Sequence, residues 1–376
     1  HMPISDSIIR PLVKKLKLAS NYEIRRQEVQ NWNAENKILK KGLALTPVKF
    51  GISFTLTHLN QAGALVHIYQ DGSIRINHGG TEMGQGLFQK VAQVAAEEFS
   101  QPVEVVKITA TDTGKVPNTS ATAASSGTDL NGMAIQAACN KIKVRLKSYL
   151  SKKHKVKISE INFAEGQIII GKKRETFKNV IKAAYENRIS LSATGFYATP
   201  EIKWDRLKGK GHPFYYFSYG AALTEVIIDT LTGENRILRV DILHDVGNSI
   251  NSAIDIGQIQ GGYVQGAGWL TTEELVWDKK GNLKTHAPST YKIPACSDRP
   301  KVFNTNLYKY EGNKKRTIYR SKAVGEPPFM LGISALMALN DAIASIGTGE
   351  IPALLDTPAT PERILFAVQK QLGVQS

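Results

Sequence analysis

The sequence has 376 residues, of which 42% are hydrophobic, so it can bury a substantial core in two structural units. Its formal net charge of +15 makes nucleic acid a partner to consider, but no zinc-finger, aromatic RNA-binding or basic-zipper motif accompanies the lysine runs. We therefore interpret the lysines as solvated helix faces and expect no nucleic-acid site. The alternative of another class is a non-catalytic basic scaffold or a nucleic-acid-binding protein.

The cysteine content and the apolar stretches limit the class further. Cys139 and Cys296 are too few to ligate an iron–sulfur cluster and too distant for a recognised metal-ligand spacing. We expect buried or reduced thiols in a cytoplasmic protein. The longest apolar stretches are interrupted well before the roughly 20 residues of a membrane span, so we expect no membrane association. The opening "HM" resembles a cloning scar, which suggests a fragment of a longer protein.

The predicted elements begin with a helical connector at residues 3–42 that leads in from a missing upstream region. The segment "GALVHIYQDGSIRINHGG" then alternates on both sides of Asp71-Gly72, which predicts a hairpin. The helical period of "LFQKVAQVAAEEF" follows directly. A second strand, "VEVVKITAT", a loop of small residues and a long helix near "DLNGMAIQAACNKIKVRL" repeat this order. A hairpin near "NFAEGQIIIGKK" precedes a poorly patterned segment at 173–215.

The second half opens with a predicted hairpin that turns at Thr232-Gly233. A glycine-rich helix, "IDIGQIQGGYVQGAGWL", extended chain and a "GEPP" loop that leads into an apolar helix follow. Antiparallel hairpins mixed with helices indicate the α+β class, with mixed sheets and packed helices in two subdomains. We expect the first α+β subdomain at residues 43–210 and the second at 211–376.

Three glycine-rich loops could hold an elongated ligand through neutral hydrogen bonds. The loop "NHGGTEMGQG" presents Gln85, and its alternative is a tight turn only. The loop "TAASSGTDLNG" offers hydroxyls, and its alternative is an N-capping run that ends at Thr128 or Asp129. The third presents Gln258, Gln260 and Gln265, and its alternative is a glycine-rich packing helix. No Walker lysine pattern is present, which argues against an ATPase.

Eight strings occur in an order that resembles the C-terminal part of the molybdopterin-binding region of the xanthine dehydrogenase/oxidase family. The resemblance covers the chain from about residue 20 to residue 368. The strings are "KFGISFT", "HGGTEMGQGL", "VPNTSATAAS", "DLNGMAIQAAC", "NSAIDIGQIQGGYVQGAGW", "PSTYKIPA", "SKAVGEPP" and "DTPATPERI".

The resemblance implies oxidative hydroxylation of hypoxanthine and xanthine to urate, with water as the oxygen source. It implies a molybdenum-molybdopterin cofactor in a dioxo or oxo-sulfido form, whose metal has no protein ligand. Positions that match the family's cofactor contacts are Met83, Gly84, Gln85, Ala123, Ala124, Ser125, Ser126, Gly127, Thr128 and Gln258. Positions that match its substrate pocket are Phe54, Thr55, Leu56 and Leu59. His58 and Asn60 lie beside that pocket without an assigned role.

Glu326 matches the family's catalytic base. From the residues alone, Pro327 suits the first turn of a helix, which places Glu326 at the N-terminal end of the "FMLGISALMAL" helix. From "GEPP" alone, a carboxylate beside a proline would be a purely structural feature. The presence of the other seven strings in the family's order favours the catalytic role.

The resemblance also implies partners that the chain lacks. These are the upstream half of the molybdenum domain, FAD and 2Fe-2S parts, NAD as acceptor and a homodimer of the complete enzyme. We therefore expect the isolated chain to be inactive. The alternative within the same class is a molybdenum hydroxylase of aldehydes or of other N-heterocycles.

Overall fold

The computed structural model describes residues 2–115, 119–347, 353 and 355–373. Residues 116–118 of the string "VPNTSATAAS" and the end of the second predicted subdomain lie outside the described residues. The described α-helices are α1 (Ile9–Ala19), α2 (Tyr22–Glu35), α3 (Leu87–Phe99), α4 (Gly127–His154), α5 (Phe177–Glu186), α6 (Ser252–Thr271), α7 (Ile333–Ala344) and α8 (Pro361–Gln371). The described strands are β1 (Leu39–Ile52), β2 (Gln61–Ile68), β3 (Ile74–His78), β4 (Val106–Ile108), β5 (Ile161–Ala164), β6 (Gln167–Ile170), β7 (Lys173–Thr176), β8 (Ser192–Ala198), β9 (Lys203–Asp205), β10 (Lys210–His212), β11 (Tyr216–Asp229), β12 (Asn235–His244) and β13 (Val302–Leu307).

The first of two four-stranded sheets has the order β4-β3-β2-β8, and α3 and α4 pack against it. The predicted hairpin is confirmed, because β2 and β3 pair antiparallel and the Ser73 N–H donates to the Asp71 carboxylate at 2.9 Å in the turn. The predicted apolar face of α3 is confirmed too, since every member is buried: Leu87, Val91, Val94, Ala95 and Phe99. This unit therefore follows the local sequence pattern closely.

The second four-stranded sheet has the order β1-β11-β12-β13. β11 and β12 form the hairpin predicted around Thr232-Gly233, and β13 pairs parallel to β12. β1 pairs antiparallel with β11 along its whole length, from Leu39 opposite Asp229 to Ile52 opposite Tyr216. Because β11 lies between two strands and under helices, its side chains are buried almost throughout.

Each sheet approaches one helix at a glycine. A Cβ on Gly42 of β1 would lie 1.9 Å from the carbonyl oxygen of Ala338 in α7. A Cβ on Gly195 of β8 would lie 1.9 Å from the carbonyl oxygen of Ala134 in α4. Any larger residue at either position would push the helix away from its sheet, so these glycines set the distance between the layers.

The predicted connector at residues 3–42 contains α1 and α2, but its last four residues belong to β1 and are not helical. Its two helices pack on the second sheet. Leu12 and Leu16 of α1 and Val29 of α2 are buried. The Arg25 guanidinium lies 2.7 Å from the Asp241 carboxylate and 2.8 Å from the Glu225 carboxylate. This buried ion pair network ties α2 to β11 and β12.

The sequence pattern missed part of the structure. The segment at 173–215 holds β7, α5, β8, β9 and β10, although it shows no clear period. The division into subdomains stays a prediction, but the sheet topology differs from it at β1. That strand belongs to the predicted first unit and pairs with β11 of the second. Pairing over such a sequence distance leaves no local signal.

Both cysteines are free thiols, with Cys139 buried and Cys296 exposed. Burial raises the pKa of the Cys139 thiol far above its usual value. The segment Pro327–Ala344 is long and apolar enough to cross a membrane, but 56% of it is buried inside the fold. It packs against β1, as a core helix does.

Candidate functional site

A cavity of about 500 Å³ lies between elements that pack with the first four-stranded sheet and elements that pack with the second. Its walls come from the loop before α3, the loop before α4, the exposed side of α6 and the segment at 321–329. The structure brings nearly all the predicted cofactor positions and the predicted base into this one cavity: Met83, Gly84, Gln85, Ala123, Ala124, Ser125, Gly127, Thr128, Gln258 and Glu326. The cavity is therefore the candidate site.

Glu326 lies directly before Pro327, at the start of a 3₁₀ turn (Pro327–Gly332) that continues into α7. The predicted position of Glu326 at a helix N-terminus is thus confirmed, although the first six residues are 3₁₀ rather than α-helical. The Ser125 hydroxyl donates to Glu326 Oε2 at 2.9 Å, and the Glu326 N–H donates to the same hydroxyl at 2.7 Å. The loop before α4 therefore holds this carboxylate.

The loop before α3 is organised around the carboxylate of Glu82. That carboxylate accepts hydrogen bonds from the N–H groups of Gly84 (2.9 Å), Gly86 (3.0 Å) and Phe88 (2.9 Å). Burial works to raise the pKa of Glu82, but these N–H groups together lower it. The amide of Gln85 also turns back into the loop, donating to the Thr81 carbonyl at 2.7 Å and accepting from the Met83 N–H at 2.5 Å.

The N-terminus of α4 opens into the cavity. Ser126 precedes the first turn, and its hydroxyl bonds the Ala123 carbonyl at 3.2 Å instead of capping the helix. Ser126 is buried behind the cavity wall and does not line it. No described residue accepts a hydrogen bond from the N–H groups of Gly127 and Thr128, which leaves them free for an anionic ligand. The N-capping interpretation of this loop is therefore wrong.

The packing interpretation of the glycine-rich helix is confirmed on one side of α6, and the ligand-holding interpretation stays a prediction for the side that borders the cavity. Gly262 and Gly266 face the turn at 328–329, where a Cβ would lie 2.7 Å from Pro328 and 2.1 Å from the Phe329 carbonyl oxygen. These glycines serve close packing. On the cavity side, a Cβ on Gly261 would meet open space, and Gln258 and Gln265 line the wall. Gln260 bonds Thr305 at 3.4 Å.

A buried ion pair in the cavity wall was missed by the sequence analysis. Lys90 Nζ of α3 lies 2.5 Å from the Asp255 carboxylate of α6, whose other oxygen accepts from Ser249 at 2.5 Å. Both side chains are less than a tenth exposed. A signal existed, because Lys90 falls three residues after Leu87 on the apolar face of α3, where a charge needs a partner.

A second buried ion pair supports the segment that carries Glu326. Lys322 Nζ donates to the Asp245 carboxylate at 2.7 Å and to the Phe217 carbonyl at 2.9 Å. The rings of Tyr216, Tyr219 and Tyr310 surround it, with centroids 5.3 to 5.9 Å from Nζ. Such a cation is desolvated and depends on these partners.

Tyr216 joins the two sheet units beneath the cavity. Its hydroxyl donates to the Asp129 carboxylate at 2.6 Å and accepts from the Ala323 N–H at 2.8 Å. Burial raises the pKa of Asp129 to about 7, against the opposing effects of Tyr216 and Lys90. The first turn of α4 and the Glu326 segment are therefore both attached to β11.

The predicted substrate positions are not among the residues that line the cavity. They lie on the turn after β1, where Thr55 and Leu56 are exposed and Phe54 and Leu59 are partly buried. Their role stays a prediction. The structure does explain Asn60, whose buried amide accepts from the Phe54 N–H at 2.8 Å and donates to the Phe54 carbonyl at 2.9 Å. Asn60 therefore shapes this turn. His58 is exposed.

Three buried groups predict how stability depends on pH. Burial lowers the pKa of His78 and of His244 from 6.5 to about 4, and it raises that of Asp129 from 3.8 to about 7. Between about pH 4 and 6.5 the unfolded chain binds more protons at each histidine, so their contribution to stability rises with pH. At Asp129 the folded chain binds more protons than the unfolded chain, so the contribution of Asp129 to the free energy of unfolding falls as pH rises over the same window.

We therefore expect Asp129→Asn to steepen the rise of stability between pH 4.5 and 6.5 by about 1.4 kcal/mol per pH unit. His244→Gln should flatten it by about the same amount. Urea unfolding at several pH values measures both slopes. The exposed and non-titrating Gln70 offers a control, since Gln70→Ala should leave the slope as it is. Equal slopes in all variants would contradict the burial argument.

A family model described as a molybdopterin cofactor-binding domain matches residues 15–300. The xanthine dehydrogenase/oxidase of Gallus gallus is 49% identical over 350 residues, which are 92% of this chain and 24% of that protein. The xanthine dehydrogenase of Oryza sativa subsp. japonica is 46% identical over 376 residues, which are 97% of this chain and 26% of that protein. The chain thus spans about a quarter of the length of these relatives.

Solved structures with the same fold are more distant in sequence. A carbon monoxide dehydrogenase from Oligotropha carboxidovorans superposes with a TM-score of 0.83 at 22% identity, covering 99% of this chain and 46% of that one. Quinoline 2-oxidoreductase from Pseudomonas putida 86 gives a TM-score of 0.81 at 24% identity, covering 97% and 46%. These likenesses establish the fold and confirm the α+β class.

Proposed function

The chain belongs to the molybdopterin cofactor-binding domain family, and on that premise we propose that it is the C-terminal part of the molybdenum-cofactor-binding region of a xanthine dehydrogenase. In this proposal the parent enzyme hydroxylates hypoxanthine and xanthine oxidatively to urate, with water as the oxygen source. The observation that carries the proposal is the single cavity in which Glu326 meets three loops from distant parts of the chain. The relatives named xanthine dehydrogenase support the choice of substrate.

The residues present fit a large anionic cofactor. A Cβ on Gly84 or on Gly261 would project into open space, so both positions leave volume for a ligand. The free N–H groups at the start of α4 suit an anionic group, and Gln258 and Gln265 offer neutral donors and acceptors. When bound, the cofactor supplies a molybdenum centre that accepts the two electrons of substrate oxidation. No cluster of three metal-ligating side chains occurs in the described part of the chain.

In this proposal Glu326 is the general base. Its carboxylate is half-buried at the cavity wall and is held by the Ser125 hydroxyl, so it can receive a proton at a defined place. Lys322 and Tyr216 position the backbone on which Glu326 lies, because they attach residues 322 and 323 to the second sheet. The Lys90–Asp255 pair joins α3 to α6 across the cavity wall.

The electron path and the partners are also proposals. Because the chain spans about a quarter of its relatives, the rest of the parent is expected to supply the upstream half of the molybdenum domain. It is also expected to supply FAD and 2Fe-2S centres and the site for NAD. We further propose that the complete enzyme is a homodimer and cytoplasmic. Free thiols in the chain agree with a reducing compartment.

The proposal is tested by comparing the full-length parent with the isolated 376-residue chain. We expect the parent to contain molybdenum and to convert xanthine, and the isolated chain to do neither. Met83 at the edge of the cavity is 67% exposed, and the chain spans about a quarter of its relatives, so we expect the rest of the parent to cover this edge. Metal analysis and urate absorbance measure the two properties. Molybdenum content with turnover in the pure chain would contradict this expectation.

The substrate is tested in the same parent protein. Xanthine, hypoxanthine and an aromatic aldehyde are assayed side by side, and we expect kcat/KM to be highest for the purines. A preference for the aldehyde would replace purine hydroxylation with aldehyde oxidation and leave the cofactor assignment standing.

A further inference from the structure

Among the described residues, the Ser125 hydroxyl makes two hydrogen bonds, and both of them are to Glu326. It donates to Oε2 at 2.9 Å and accepts from the Glu326 N–H at 2.7 Å. We propose that Ser125 is the positioning residue of the catalytic base, and that it leaves Oε1 as the oxygen that receives the proton. This inference rests on the proposed function of Glu326. It goes beyond a contact between Ser125 and the cofactor.

The loop holds this hydroxyl in a restricted place. Ala124 and Ser125 have φ values of +53° and +54°, a left-handed conformation that L-residues rarely adopt. The first turn of α4 follows directly, at Gly127. Two consecutive left-handed residues before a helix turn the Ser125 side chain away from α4 and toward the segment that carries Glu326. The strain is consistent with a conformation that is retained for this contact.

The opposite side of the contact is equally close. A Cβ on Gly325 would lie 3.0 Å from Ser125 Oγ, so a larger residue there would displace the hydroxyl slightly. The glycine before Glu326 therefore lets the serine approach the backbone. Gly325 has no left-handed φ, so its backbone conformation does not require glycine.

The two carboxylate oxygens of Glu326 differ in their hydrogen bonds. Oε2 accepts from Ser125, whereas no described residue donates to Oε1. Because one hydroxyl bridges the N–H and Oε2 of the same residue, it restricts rotation of the side chain. Because Glu326 lines the cavity, this restriction leaves Oε1 as the free acceptor of the carboxylate there.

The inference is tested with Ser125→Ala in the full-length parent. We expect kcat to fall about 10- to 100-fold, with KM and molybdenum content near the values of the unmodified parent, because the base is misplaced while the cavity persists. Gly325→Ala, which keeps the hydroxyl but displaces it, should act in the same direction. A fall in kcat that merely follows lost molybdenum would overturn the proposal. If instead Glu326→Gln retained turnover, the proposed function itself would fail.

A spectroscopic readout does not depend on bound cofactor. Infrared spectra are recorded for the unmodified 376-residue chain and for its variants, all labelled with ¹³C-glutamate. The carboxylate band that is present in the unmodified chain and absent in Glu326→Gln is assigned to Glu326. We expect Ser125→Ala to shift this band, because a hydrogen bond to Oε2 is lost. The matched control is Ala124→Gly, which changes the same left-handed turn without removing that bond and should leave the band in place. An unshifted band in Ser125→Ala would overturn the proposal.

Discussion

Glu326→Gln in the full-length parent is expected to lower kcat by about 10³-fold or more, with molybdenum still bound. Glutamine has nearly the shape of glutamate, so the packing before Pro327 and the hydrogen bond with Ser125 can persist. What is lost is the ability to accept a proton. Since the cofactor contacts come from other loops of the cavity, retention of the metal should be unaffected. Stopped-flow reduction by xanthine and metal analysis of the same sample measure the two effects.

Glu326→Ala should give a loss of similar size, which separates the missing carboxylate from any effect of the amide. A matched control is Glu311→Gln, at an exposed carboxylate on the chain leading to the same segment. We expect that variant to keep normal turnover. Near-normal turnover of Glu326→Gln with full metal content would remove Glu326 from the mechanism.

Lys322→Met is expected to destabilise the isolated chain by about 3 to 5 kcal/mol. The substitution leaves the Asp245 carboxylate, which is fully buried, without its cation. It also leaves the Phe217 carbonyl without the ammonium donor. The carboxylate and the carbonyl then stay buried without the hydrogen bonds from Lys322 that offset the free energy of removing them from water. Equilibrium unfolding in urea, followed by tyrosine fluorescence and circular dichroism, measures the change.

Lys208→Met is the matched surface control. Lys208 forms a pair with Asp205 at 3.9 Å, and its side chain is 77% exposed, so we expect a change within about 0.5 kcal/mol. The double variant Lys322→Met, Asp245→Asn should recover part of the loss, because it removes the unpaired charge. If the single and the control variants unfold at the same urea concentration, the buried pair does not support the Glu326 segment.

Much of the local structure could be predicted because its signals lie within a few residues of one another. The turn residues Asp71 and Gly72 predict the β2–β3 hairpin, and the apolar period after Gly86 predicts α3. Pro327 predicts the helix that starts after Glu326. Each of these patterns depends on backbone geometry over one turn or one hairpin, which neighbouring side chains decide.

The segment at 173–215 shows the limit of local patterns. α5 has a clear apolar face in the structure, with Phe177, Val180, Ile181 and Ala184 buried. It has only ten residues between two short strands, and its polar neighbours obscure the period. Tertiary packing on the core of the first sheet stabilises an element that the sequence indicates only weakly.

The sequence by itself determined the family of the chain, the loops that border the site and the place of Glu326 before a helix, because these depend on short ordered strings. Only the tertiary structure decided that Ser125 contacts Glu326 across 201 residues and that Lys90 pairs with Asp255 across 165. It also decided that the amide of Gln85 turns inward. The physical reason is that partners of buried polar groups are chosen by packing between layers, and such pairs have no fixed spacing along a chain.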